Sequence, residues 1–72
     1  MQRLQFALDG HDFVELHQLL KLVGVVDSGG AGKHLVAEGA VEVDGVVELR
    51  KSCKIRAGSH VVVGDVAIDV VA

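Results

Sequence analysis

Leu4, Phe6 and Leu8 alternate with polar residues, the period of a half-buried strand, and predict a short strand at the start of the chain. Asp9-Gly10 then marks a turn. Asp12, with Glu15 three residues later, has the form of a capping box, and Phe13, Leu16, Leu19, Leu20 and Val23 fall on one helical stripe. Gly24 is placed to end that helix in the left-handed conformation. Ser28 is the N-cap of a second helix with an apolar face of Ala31, Leu35 and Val36, and Gly39 lies just past its end. Gly29, Gly30 and Gly32 each weaken this helix by about 1 kcal/mol relative to alanine. It is therefore expected to depend on packing for its existence.

From Ala40 the period changes from helix to strand. Asp44-Gly45 signals a hairpin, and two registers are open. A two-residue loop pairs Glu42 with Val47 and mixes apolar with acidic residues on each face. A three-residue loop pairs Val41 with Val47 and keeps Val41, Val47 and Leu49 together, so burial of one face favours it. The 50–56 segment reads as a connection, Ala57-Gly58-Ser59 as a turn, and 61–71 as a second hairpin turning at Gly64-Asp65. The expected fold is α+β, two helices packed on a small, mostly antiparallel sheet in the order β-α-α-β-β-β-β, with 1–72 as one domain. Leu16, Leu19, Leu20, Leu35, Val36, Val41 and Ile55 are expected to share one core.

Composition narrows the functional classes. With half of its 72 residues apolar, the chain is too hydrophobic for a disordered segment, yet only two are aromatic. Val, Leu, Ile and Ala must build the core. A single cysteine, Cys53, permits no internal disulfide, and no apolar run approaches a membrane span. The N-terminal residues lack the apolar stretch of a signal peptide, so the expected location is the cytoplasm. His11, His17, His34 and His60 do not have metal-ligand spacing, and neither a metal nor a cofactor is expected.

The net charge of −3 is unevenly spread. Arg50, Lys51, Lys54 and Arg56 fall in a window free of acids, while the rest of the chain sets three basic residues against ten acidic ones. A local basic patch on an acidic protein suits phosphate contacts from one direction. The segment Ser28 to His34, SGGAGKH, is not a nucleotide phosphate loop, because Asp27 stands where the first glycine belongs and His34 where Ser or Thr belongs. A helix start rich in glycine, with Lys33 and His34 beside it, instead suits close approach of a nucleic-acid backbone. Cys53 among cations has surroundings that favour its thiolate. No His-acid pair accompanies it, and neither paired carboxylates nor a Ser-His-Asp set stands out, so a non-enzyme without a small-molecule substrate is expected.

Leu-Leu-Lys-Leu-Val-Gly at 19–24, Ser28-Gly29 with Ala31 and Lys33, Ala37-Glu38-Gly39-Ala40-Val41, Val43-Asp44-Gly45, Arg50-Lys51, Lys54-Ile55 and Ala57-Gly58 follow one another in a specific order. In that order and spacing the chain, from about 14 to 63, resembles the S-four RNA-binding domain, or alpha-L motif. With its terminal extensions the whole chain resembles the small stand-alone bacterial members of the family. The resemblance implies two helices on a small sheet, with RNA along the second helix and the neighbouring strand and loop. Carried over by position, Ser28, Gly29 and Lys33 lie at the RNA-facing start of helix two, and Arg50, Lys51 and Lys54 supply cations beside it; His34, next to Lys33, and Arg56, from the basic window, complete the expected RNA-binding set. Gly29 stands where many members have Arg, and Asp44-Gly45 where Asn-Gly is common. Both changes lower the positive character of the surface and imply weak or structure-selective binding. The resulting expectation is a monomeric, non-catalytic binder of structured RNA, ribosomal or transfer RNA. The alternative is a protein-interaction adaptor that uses the Val-rich terminal hairpin.

Overall fold

A computed structural model describes every residue, Met1–Ala72. Strand β1 (Gln2–Ala7) opens the chain, a two-residue strand β2 (Val14–Glu15) leads into helix α1 (Leu16–Leu22), and helix α2 (Gly29–Ala37) follows. Strands β3 (Val41–Val43), β4 (Val46–Val47), β5 (Lys54–Ile55), β6 (His60–Val63) and β7 (Val66–Val71) complete it. Five strands form one sheet in the order β1-β7-β6-β3-β4, and β2 pairs with β5 in a separate antiparallel ribbon. The main sheet is antiparallel except where β1 runs parallel to β7. The fold is α+β and mostly antiparallel, as the change of period implied.

One hydrophobic cluster joins both helices to the sheet. Leu16, Leu19, Leu20, Val36, Val41, Ile55, Val61 and Ile68 are fully buried in it, and Leu35 packs against it half-buried. The Gly64-Asp65 turn closes the β6–β7 hairpin, with Val63 opposite Val66. This hairpin lies inside the sheet, between β1 and β3, with Val61, Val63, Ala67, Ile68 and Val70 buried and Val62, Val66 and Val71 half-buried, so it presents no fully exposed valine to an adaptor's partner.

Four features depart from the sequence reading. Asp12 and Glu15 form no capping box: α1 starts at Leu16, and Glu15 holds the N-cap position without a side-chain cap. The cap comes from the 50–56 segment. Leu16 N–H donates to the Cys53 carbonyl at 2.9 Å and His17 N–H to the Lys51 carbonyl at 3.0 Å. Distant backbone thus satisfies donors that a helix start leaves open. Consequently Val14 and Glu15 are free to pair with Ile55 and Lys54, and part of the expected connection becomes a strand. Phe13 lies outside the helix, exposed, rather than on its buried stripe.

The Asp44-Gly45 hairpin takes the two-residue register, with Val43 opposite Val46 and Glu42 opposite Val47. Both loop residues have positive φ, 52° at Asp44 and 86° at Gly45, as a type I′ turn requires. Burial does not select the register here, because β4 is an edge strand whose two valines are exposed.

Candidate nucleic-acid interface

Helix α2 begins where the sequence places it. The Ser28 hydroxyl accepts from the Ala31 N–H at 3.1 Å, and Gly32 N–H donates to the Ser28 carbonyl. The N–H groups of Gly29 and Gly30 have no partner within the helix and are left for solvent or an anion. The glycines divide into two kinds. A Cβ on Gly32 would fall 2.6 Å from the His17 carbonyl oxygen, so this glycine sets the approach of α2 to α1. Cβ atoms on Gly29 and Gly30 would meet nothing nearer than 3.9 Å, and these two line an open groove between the helices. Its volume is about 300 Å³, and His17, Gln18, Lys21 and Lys33 form the rest of its polar wall.

His17 joins this groove to the basic segment. Its Nδ1 lies 2.9 Å from the Lys51 carbonyl oxygen, which only accepts, so Nδ1 carries a hydrogen and donates. The same oxygen accepts the His17 backbone N–H. The ring is buried, while the Lys51 side chain is exposed. Lys51 is therefore fixed by its backbone against the first turn of α1, with its ammonium left in solvent.

The cations of the 50–56 segment are not equivalent. Glu48 lies just outside the acid-free window and holds Arg50, with Nε to Oε2 at 3.0 Å and Nη2 to Oε1 at 3.2 Å. These bonds hold the Glu48 carboxyl down to about 2 and raise the Arg50 guanidinium further. Lys51 makes no ion pair. Lys54 and Arg56 stand over the Phe13 ring at 5.0 and 5.6 Å from its centre, close enough for cation–π attraction. Cys53 is half-buried, and burial first and Glu48 second push its thiol above its ordinary value. Its surroundings thus disfavour the thiolate, against what the neighbouring cations alone suggest.

Of the eight residues singled out from the sequence, Ser28, Gly29 and Lys33 gather at the start of α2, and His17 links them to Lys51. His34 is exposed and turned to Glu38 on the next turn, with Nε2 2.6 Å from its carboxylate. Lys54 and Arg56 lie at the Phe13 edge. Arg50 is occupied by Glu48. Three contributors escaped the sequence reading. His17 and Lys21 line the groove, and their spacing of four, which puts both on one helical face, was a usable signal. Phe13 carried no such signal, because its position follows from long-range backbone pairing.

The S4 domain family model matches residues 6–71. The chain is 51% identical over 67 residues to YbcJ of Escherichia coli (strain K12), covering 93% of this chain and 96% of the relative. YbcJ of Shigella flexneri is equally similar. The solution structure of YbcJ from E. coli resembles this fold with a TM-score of 0.74, at 50% identity over 94% of this chain and 86% of that one. That structure is described as having an alpha-L motif involved in RNA binding.

Proposed function

The chain belongs to the S4 domain family, and we propose that it is a single-domain, non-catalytic RNA-binding protein that holds structured RNA on its helical corner. Ribosomal or transfer RNA is the target class that the resemblance favours. The observation that carries this reading is the set of cations without an acidic partner. Lys21, Lys33, Lys51, Lys54 and Arg56 make no ion pair in a chain of net charge −3, and each lies on α1, on α2 or on the segment that caps α1. Phosphates bind there through the ammonium and guanidinium groups and through the open N–H groups at the start of α2. Ser28, Gly29 and His34 complete the α2 side, and Arg50 joins when RNA competes with Glu48. The acidic remainder repels RNA from other directions and selects one orientation.

No helix is long and apolar enough to cross a membrane, and the one cysteine is free. Both fit the proposed action as a monomer in a reducing cytoplasm. A second reading, a protein-interaction adaptor, is favoured by one observation: Val46, Val47 and Leu49 are 69%, 50% and 61% exposed on one hairpin.

A titration of structured RNA at several salt concentrations tests the proposal. Three to five neutralised phosphates give a log–log slope of about −2 to −4. Lys51→Glu with Lys54→Glu should remove binding with the fold retained, as circular dichroism would show. Salt-independent binding, or equal affinity in the double variant, would overturn the electrostatic reading and favour the adaptor.

A further inference from the structure

Beside the groove that holds Lys21 and Lys33 lies a second, apolar one of about 410 Å³, between the end of β1, Phe13 and the outer face of α1. That volume falls within the roughly 300–1,000 Å³ typical of small-ligand sites. Phe6, Phe13 and Leu22 line it, and Phe13 and Leu22 are 36% and 60% exposed. His11, Glu15 and Gln18 supply its polar groups. Resting on the RNA reading above, we propose that this groove receives one unpaired nucleobase of the bound RNA.

Charge placement selects this occupant. Gln18 and Leu22 line both grooves, so a single ridge of α1 separates the apolar one from Lys21 and Lys33. At its other edge, Lys54 and Arg56 stand against the Phe13 ring that forms its wall. A strand with phosphates held at both edges passes its intervening base over the apolar floor. The Glu15 carboxylate in the wall repels phosphate, so backbone stays at the rims. It accepts a hydrogen bond from a base that carries an amino group. The Phe13 ring offers an aromatic surface of the kind on which unpaired bases stack. A fully paired duplex has no base to place there.

The test compares two RNA hairpins, one with a single bulged adenine and a twin with every base paired. Wild type should bind the bulged hairpin about tenfold more tightly, the scale of one base–aromatic stack. The ratio of the two affinities should fall towards one in Phe13→Ala. It should also fall in Phe13→Leu, which keeps apolar bulk and tests the ring alone should the alanine variant fail to fold. Equal wild-type affinity for both hairpins, or an unchanged ratio in Phe13→Leu, would overturn the base groove and leave RNA binding standing. Binding of neither hairpin would overturn the RNA reading and the groove with it.

Discussion

The sheet and the helical corner are built by different means. In β6 and β7, burial follows the side-chain pattern, and Val61, Val63, Ile68 and Val70 fill the core from a hairpin closed by its own turn. The corner relies on backbone instead. Carbonyls at Lys51 and Cys53 cap α1, and Gly32 brings α2 onto the backbone of His17. Where backbone makes the joint, side chains are released from it. Lys21, Lys33, Lys51, Lys54 and Arg56 are all exposed on the corner, whereas Arg3 is the sole cation on the main sheet. A domain this small keeps its long cationic side chains in solvent by holding these elements together through main-chain contacts.

The largest effect should come where the two regions share one core. Leu20→Ala should cost about 2–5 kcal/mol by urea unfolding, since Leu20 is fully buried between them. A loss below about half a kcal/mol would mean that the corner is not part of that core. Next is the glycine contact. Gly32→Ala should destabilise by about 1–3 kcal/mol despite the better helix propensity of alanine, because the new methyl meets backbone that has little room to move. Gly30→Ala, two residues away and unobstructed, should stabilise by up to about 1 kcal/mol. Equal effects in thermal melts would deny that backbone approach holds the corner.

The smallest effect concerns Glu48. Glu48→Gln should free Arg50, tighten RNA binding a few-fold and steepen the salt slope by about 0.7–0.9, one more phosphate contact. The sign of its pH dependence follows from a folded-state value lowered from 4.5 to about 2. The pair contributes to stability fully above about pH 4.5 and loses that contribution as pH falls through about 2, which carboxyl NMR shifts of Glu48 would follow. A Glu48 carboxyl that titrates near 4.5 would show that Arg50 is not held.

Local pattern made much of the sheet readable: the alternation at 4–8, the valine-rich run at 61–71 and the turns at Asp9-Gly10 and Gly64-Asp65 needed no tertiary knowledge. The second helix was readable because Ser28 caps it within four residues. The start of α1 was not. Asp12 and Glu15 have the spacing of a capping box, and nothing in the sequence says that carbonyls 34 or more residues away take its place. The Asp44-Gly45 register went the other way, because turn chemistry outranked burial at an exposed edge. The basic segment was visible as charge, but the capture of Arg50 by Glu48 and the seating of Lys54 and Arg56 on Phe13 depend on the fold.

Amide chemical-shift mapping during titration with a structured RNA tests most directly whether the helical corner is the RNA-binding surface. Shifts should concentrate at residues 13–34 and 50–56, with a smaller change at Glu48 as Arg50 leaves it, and with β6, β7, Val46 and Val47 unaffected. Shifts centred on Val46, Val47 and Leu49, or spread over the main sheet while residues 28–33 and 51–56 stay still, would contradict it.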